Sequence, residues 1–525
     1  MDASPPLEGG ITGANRGSRG RSPTGTGPTA DETDDLRRRR RHAWALLAAL
    51  GLFRLWFCTS FELTGDEAHY WLWSRRLDIG YYSKGPLVAW TIRAGTAVFG
   101  DTVLGVRAFA PILSVLGGAL LFELARKLFD ARTAWTATVI AATALIFQLG
   151  GLLMTTDPLS VFFWIAAALA LLRAAEGRAA GPWLAAGALV ALGVLAKFTN
   201  LAQLACFAAF LLWDRDARRR WREPGVWIMA VVALLGLVPP LIWNAGNDWI
   251  TWRHLEHRGA LDAAFRLHPG ELLAFAASQA GALSVVYFAG LLVAAARGAH
   301  RRTGRPRAVR FLASLVLPLP LFYGLLSLNG EWEANWTAPA LALCPALLAG
   351  LWRPLAAEDP RWRRAGLAAI VSAAALAAVF HAAILSPWIY GNDRFRRWGG
   401  FEDLGRRVAA MQADHGASFL VASGRGDASL LAFYTPGRPP VYAPPSENVE
   451  NQFSLWPGYR ERPAGESALL IGKASAALAR ARERVQGDFE EIVPLGRVTP
   501  DYRGRPMRTY EIFLCRGLKN PRDGT

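Results

Sequence analysis

Residues 61–90 read FELTGDEAHYWLWSRRLDIGYYSKGPLVAW and directly follow the apolar run LLAALGLFRLWFCTSF at 46–61. That run belongs to an apolar segment over 43–60, about the length that crosses a bilayer (~20 residues). On leaving it the chain at once presents Asp66, Glu67, His69 and Lys84, with Tyr70, Tyr81 and Tyr82 among them. A local explanation exists. Thr64-Gly65-Asp66-Glu67 fits a capping box, with Thr64 as N-cap and Glu67 three residues on. Asp66 would then be an acid favoured by the helix dipole. Capping does not account for the His, Tyr and Lys side chains beside Gly85-Pro86.

The rest of the chain decides the class. Of 525 residues, 52 % are hydrophobic and only 19 % charged, with 21 Trp, and the mean hydropathy is +0.19. These values fit an integral membrane protein. The net charge of +16 does not point to nucleic acid, because the basic residues recur in short clusters between apolar runs. That is the positive-inside pattern of membrane loops. The four cysteines, Cys58, Cys206, Cys344 and Cys515, are scattered and support neither a disulfide framework nor a thiolate metal site.

Residues 1–35 are rich in Gly, Pro, Ser and Thr, lack the apolar core of a signal peptide and are expected to be disordered in the cytoplasm. Arg37 to Arg41 then pin the N-terminus to the cytoplasmic side. Further apolar segments lie at roughly 104–124, 134–153, 158–172, 182–196, 198–213, 226–243, 272–296, 311–328, 337–352 and 365–385, making about eleven crossings with the first. Alternate loops are basic, as in DRDARRRWRE (214–223) and RGAHRRTGRPRAVR (297–310), and the intervening ones carry acids and amides. Around Lys197 two short segments form a hairpin whose tip, AKFTN, reaches the outer surface; a re-entrant pair is the alternative. Residues 43–385 are thus expected to form a membrane domain. Residues 386–525, where short apolar runs alternate with turns, are expected to form a small α/β or α+β domain outside the membrane.

Other outer loops add polar groups at similar depth. MTTDPLS places Asp157 before Pro158, which reads locally as an N-cap with proline at N1. LNGEWEANWTAPA places Glu331, Glu333, Asn335 and Trp336 at the same face. Ionisable residues at the outer ends of spans argue against a transporter, whose sites lie near the midplane. They suit a reaction between a lipid-borne group and something on the outer surface.

GDEAHYWLWSRRLDIGYYSKGPLVAWTIRAGTAVFGD resembles the first outer loop of bacterial GT-C glycosyltransferases. Within that superfamily it more closely resembles the dolichyl-phosphate-mannose–protein mannosyltransferase-like family and the aminoarabinose lipid A transferases. MTTDPLSVFFW, LGVLAKFTN, PPLIWNAGNDW and EWEANWTAPALAL continue the likeness in family order over roughly residues 43–350, and FYTPGRPPVY and NQFSLWPG resemble the family's bacterial C-terminal tail. The resemblance implies a mostly α, polytopic GT-C fold in the inner membrane. It also implies transfer of a sugar, with inversion, from a polyprenyl-phosphate donor to an envelope lipid, glycan or protein at the outer face. Asp66 matches the acid close to the reacting centre, Asp157 the second acid, and Lys84 the lysine on the carrier phosphate. Glu67 joins the acids as a catalytic candidate. Lys197 and Tyr82 are further candidates for the donor phosphate, and His69, Tyr70, Tyr81, Glu331, Asn335 and Trp336 for substrate. The chemistry agrees, since a phosphate leaving group needs its growing charge neutralised and the acceptor hydroxyl needs a base. One departure concerns a metal: Ser83 stands where the lipid A transferases have a glutamate implicated in metal binding, which leaves Asp66 or Asp157 to hold any divalent ion. The competing class is a carrier or flippase for lipid-linked sugars, which would move sugar-lipid without making a glycosidic bond.

Overall fold

The structure, a computed structural model, describes residues 30–519 apart from 178, 259–266, 330–331, 393–394 and 397. The first helix runs Ala30–Phe57 and so takes in residues 30–35, part of the stretch expected to be disordered. Asp31 and Glu32 occupy its first turn, and Asp35 accepts hydrogen bonds from Arg38 and Arg39, each at 2.9 Å. Acids at a helix start followed by basic residues one turn on stabilise that start.

Five helices among the described residues are long and apolar enough to cross a membrane, or up to seven if each of two bent pairs is one span. The Pro360–Leu385 helix buries only Ala373 and Ala377 and exposes Leu367, Val371 and Val379, an apolar surface suited to lipid. The expected span 272–296 is not straight. It breaks into Pro269–Leu283 and Val285–Ala296, bent by 105°, at Ser284, whose φ of 86° no helix can accommodate. The bundle core is built from Phe122, Trp164, Phe207, Phe210, Phe311 and Leu347.

Residues 401–518 carry a five-stranded sheet of order β2-β1-β3-β7-β4. Its strands are β1 Phe419–Ala422, β2 Val441–Tyr442, β3 Ala468–Lys473, β4 Phe489–Val498 and β7 Tyr510–Leu518; β5 Asp501–Tyr502 and β6 Arg505–Pro506 form a separate ribbon. β1 pairs in parallel with β2 and β3, and β7 is antiparallel to β3 and β4. One sheet face packs on Leu478 and Val485 of the Ala476–Gln486 helix. The other merges with the segment 63–92: Leu63, Trp71, Trp73, Val88 and Ile92 share one core with Phe401, Leu404, Leu431, Ile471 and Ile512. The sheet region is therefore packed onto the membrane helices through a common apolar core.

Candidate functional site

The Gly65–Arg75 helix starts at a true capping box. The Glu67 amide donates to Thr64 Oγ1 at 3.4 Å, and the Thr64 amide donates to Glu67 Oε2 at 3.0 Å. Successive residues on a helix point about 100° apart, and here that separates two acids. Asp66 faces out, with its side chain 54 % exposed. Glu67 faces in and is fully buried. Its carboxylate receives Arg107 Nε and Nη2, both at 2.7 Å, and the Met154 amide at 2.9 Å. Burial would raise its pKa, but the charge and hydrogen bonds of Arg107 outweigh that and hold it below the usual carboxylate range.

Asp66 lines a polar cavity of about 280 Å³ together with His69, Tyr70, Tyr82, Lys84, Asp157, Lys197, Asn335 and Trp336. Each arrives by a different device. Tyr82 is fixed by its amide, which donates to Gln452 Oε1 at 2.7 Å. Lys84 is followed by Gly85, which lies so close to the end of the Ala180–Ala196 helix that a Cβ would collide with the Leu195 carbonyl. Only glycine permits that approach, which sets Lys84 and Lys197 on the same cavity wall. Asp157 lies in the first turn of the Thr156–Glu176 helix, but the N-cap is Thr155, whose Oγ1 accepts from the Asp157 amide. Released from capping, the Asp157 carboxylate meets Lys197 Nζ at 2.7 Å and Asn335 Nδ2 at 2.8 Å. Lys197 also donates to the Asn335 carbonyl at 3.0 Å.

His69 Nδ1 lies 3.0 Å from Ser429 Oγ, and its ring packs near Trp73, Phe453 and Trp456. Burial, reinforced by the Arg425 charge, lowers its pKa well below the ordinary value and keeps it neutral. Burial likewise pushes the Tyr70 phenol upward.

Two expected site residues lie away from this cavity. Glu67 is turned into the core and saturated by Arg107, so it cannot reach substrate. Tyr81 stacks on Trp73 with ring centroids 4.3 Å apart and donates its hydroxyl to the Trp73 carbonyl at 3.1 Å, shaping the loop from behind. Glu331 lies outside the described residues. Glu333 also lines it, and so do residues that were not site candidates, among them His254, Arg425, Glu450 and Asn451. Asn451 stands in the quoted NQFSLWPG motif, but nothing local marked it, or the sheet region's other residues, as part of a membrane-surface site. Arg107, an arginine inside an apolar run, was a detectable signal of a buried partner.

The donor set does not fit a resident divalent ion. Asp66 is paired with Arg425 at 2.8 Å and Asp157 with Lys197 at 2.7 Å, and no group of three or more His, Cys, Asp or Glu side chains among the described residues could hold a metal. A second cavity, also about 280 Å³ and largely apolar, shares Thr155, Asp157 and Asn335 with the polar one. The two lie side by side, with Asp157 in the wall of both.

The family model described as dolichyl-phosphate-mannose-protein mannosyltransferase matches residues 83–243. The chain is 30 % identical over 406 residues to lipid A galacturonosyltransferase RgtD of Rhizobium johnstonii, covering 74 % of this chain and 82 % of that one. It is 31 % identical over 319 residues to the undecaprenyl phosphate-alpha-4-amino-4-deoxy-L-arabinose arabinosyl transferase of Pseudomonas paraeruginosa, 54 % of this chain and 55 % of that protein. In fold it is similar to ArnT from Cupriavidus metallidurans, a structure also solved bound to undecaprenyl phosphate, with a TM-score of 0.60 at 14 % identity over 89 % of this chain and 97 % of that one. The likeness to the oligosaccharyltransferase AglB from Archaeoglobus fulgidus has a TM-score of 0.52 at 14 % identity, over 95 % and 75 %. The extent of the match to the galacturonosyltransferase, together with the fold, establishes that the chain belongs to the GT-C family of membrane glycosyltransferases, which move a sugar from a polyprenyl-phosphate carrier to a lipid or glycan acceptor.

Proposed function

We propose that this chain transfers a hexuronic-acid-type sugar from a polyprenyl-phosphate donor to a lipid A-type acceptor at the outer face of the inner membrane. The sugar and acceptor follow the galacturonosyltransferase, the relative that matches the larger share of both chains. One observation carries the reading: the polar cavity holding Lys84, Asp66 and Asp157 adjoins an apolar cavity through Asp157 itself. A ligand with an anionic head and a long hydrocarbon tail has that shape and polarity.

In this site Lys84 binds the carrier phosphate and neutralises its growing charge as the sugar leaves. Asp66 takes the proton of the acceptor hydroxyl as its oxygen bonds to the anomeric carbon. The bond from that carbon to the phosphate oxygen breaks, the phosphate keeps the electron pair, and the configuration inverts. Asp157, held as an anion by Lys197 and Asn335, faces the positive charge that develops on the sugar ring. Lys197 is committed to Asp157 and acts on the phosphate at second hand.

We also propose eleven crossings over 43–385, with the N-terminus cytoplasmic and residues 386–525 outside. Each expected segment is largely helical, though those at 272–296 and 337–352 are bent, and the basic loops alternate with the acidic ones. All four native cysteines are buried, so an introduced thiol reads cleanly. Asp414→Cys should react with an impermeant reagent from outside and Arg302→Cys should not; the reverse labelling would overturn the placement. Function is tested by mass spectrometry of envelope lipids from a deletion strain, complemented with the wild type or with Asp66→Asn. Loss of one uronic acid from lipid A, restored only by the wild type, supports the reading; an unchanged profile of lipids and glycans refutes it.

A further inference from the structure

Asp66 takes a charged partner from a segment 359 residues away: Arg425 Nη2 donates to its Oδ1 at 2.8 Å. Arg425 opens the Arg425–Tyr434 helix, which lies alongside the Gly65–Arg75 helix with matching residues opposed. Gly65 meets Gly426, Asp66 meets Arg425, and one turn later His69 meets Ser429. A Cβ on Gly65 would come within 3.2 Å of Gly426 Cα, so the two backbones approach as only small residues allow. Ser429 Oγ, 3.0 Å from His69 Nδ1, donates in turn to the Arg425 carbonyl at 2.8 Å. Asp427, two residues on, pairs with Lys473 of β3 at 2.9 Å, and Ala428 and Leu431 are fully buried. The backbone carrying Arg425 is thus tied both to the sheet and to the helix that carries Asp66.

The guanidinium and the carboxylate remain 41 % and 54 % exposed and line the polar cavity together. An ion pair this exposed adds little to stability, so what it contributes is orientation. It engages Oδ1 of a carboxylate that lines the same cavity as Lys84 and Asp157.

We infer that Arg425 is a positioning residue for the transfer reaction: it holds Asp66 in the orientation that accepts the acceptor's proton, and the C-terminal region thereby completes the catalytic site. This rests on the reading of Asp66 as the base. The test uses the full-length chain in nanodiscs, with undecaprenyl-phosphate galacturonic acid and lipid A for turnover and undecaprenyl phosphate as the binding probe. Arg425→Ala should lower kcat by roughly 30- to 100-fold, reaching at most the lower end of the about 10²- to 10⁴-fold that general-base catalysis supplies, with undecaprenyl phosphate affinity within about twofold of wild type. Arg425→Lys should recover part of that loss, since it restores the charge without the planar fork. In an Asp66→Asn background, Arg425→Ala should cost almost nothing more, as residues acting as one unit are not additive. Wild-type kcat in Arg425→Ala, or an equal loss in both backgrounds, overturns the inference. If Arg425→Ala does not fold, Arg425→Lys decides alone: about fivefold lower kcat at an unchanged Tm supports positioning, and unchanged kcat refutes it. Full activity in Asp66→Asn would sink the reading of the base itself, whereas an inactive Asp66→Asn beside a fully active Arg425→Ala sinks only this inference.

Discussion

Two ion pairs separate the site's scaffold from its chemistry. Arg107–Glu67 lies at the seam between the bundle and the sheet region with both side chains at 0 % exposure; Lys197–Asp157 lies on the cavity wall at 8 % and 17 %. Removing ions of this size from water costs several kcal/mol each and is offset only when every lone pair and proton finds a partner. The first pair meets that demand. Besides two bonds to Glu67, Arg107 donates to the carbonyls of Cys58, Phe61 and Glu62 at 2.6–2.9 Å, and Glu67 also receives the Thr64 and Met154 amides. A pair so saturated has no capacity left for substrate. The second is held by fewer bonds and opens onto the cavity, where an incoming ligand can change its surroundings. Hydrogen-bond saturation, more than residue type or sequence position, thus divides these two acids into scaffold and site.

Breaking the sealed pair should have the largest effect. Arg107→Ala strands the buried Glu67 carboxylate and should cost about 3–5 kcal/mol, seen as a large drop in Tm or failure to accumulate. Adding Glu67→Gln should recover much of the loss. A Tm unchanged by Arg107→Ala would mean that the pair is not the scaffold it is argued to be. Next comes the adjacent acid: Asp66→Asn should keep the Tm of wild type and lower transfer about 10²- to 10⁴-fold. If it instead unfolds the protein while the residual folded fraction turns over normally, the division between the two acids is wrong.

Lys84→Met should weaken undecaprenyl phosphate binding and slow transfer together, by roughly 10²-fold in kcat/KM, because the phosphate charge grows towards the transition state. Lys84→Arg should fall between Met and wild type. Wild-type rate and affinity in the Met variant would make the lysine an interfacial anchor. The smallest effect is on pH. His69 is neutral in the folded state and held well below its ordinary value, whereas unfolded it takes a proton near pH 6.5. Below that pH the unfolded state binds the additional proton, so stability falls as pH drops, by up to about 1.4 kcal/mol per unit. Unfolding measured between pH 7.5 and 5.5 should show this slope, and His69→Gln should remove it. A slope that survives the substitution belongs to another group.

Much of the architecture was legible because its signals are local or periodic. Apolar segments and basic loops follow from the bilayer's demand on every residue they contain, and the Thr64–Glu67 capping box is a four-residue pattern that formed as read. Lys84, Asp157 and Lys197 were legible as site candidates because each is a charge at the end of an apolar run, where it needs a reason to be. Local reading failed where the outcome depended on a distant partner. Glu67 was grouped with the catalytic acids because Arg107, forty residues on, could not be placed against it. Tyr81 was grouped with substrate ligands because its stacking on Trp73 depends on how the loop folds back. Thr155 rather than Asp157 became the cap through a two-residue difference in where the helix begins, which propensity does not resolve.

Composition, periodicity and motif order were enough to show a membrane protein, the family it resembles, and the set of charged residues from which the candidate site is drawn. Those properties are summed over neighbours in the chain and survive without knowledge of the fold. Only the tertiary structure decided which of those residues meet. Asp66 and Glu67 are adjacent in the chain and diverge by a helix turn's geometry, one towards a cavity and the other into the core. Asp66 and Arg425 are 359 residues apart and meet at 2.8 Å, because the segment after the first apolar run and the sheet region bury one apolar core between them. Burial of that shared surface, through Trp71, Leu431 and Ile512, is a non-directional force that acts between any segments able to exclude water together. It leaves no pattern in either segment that names the other.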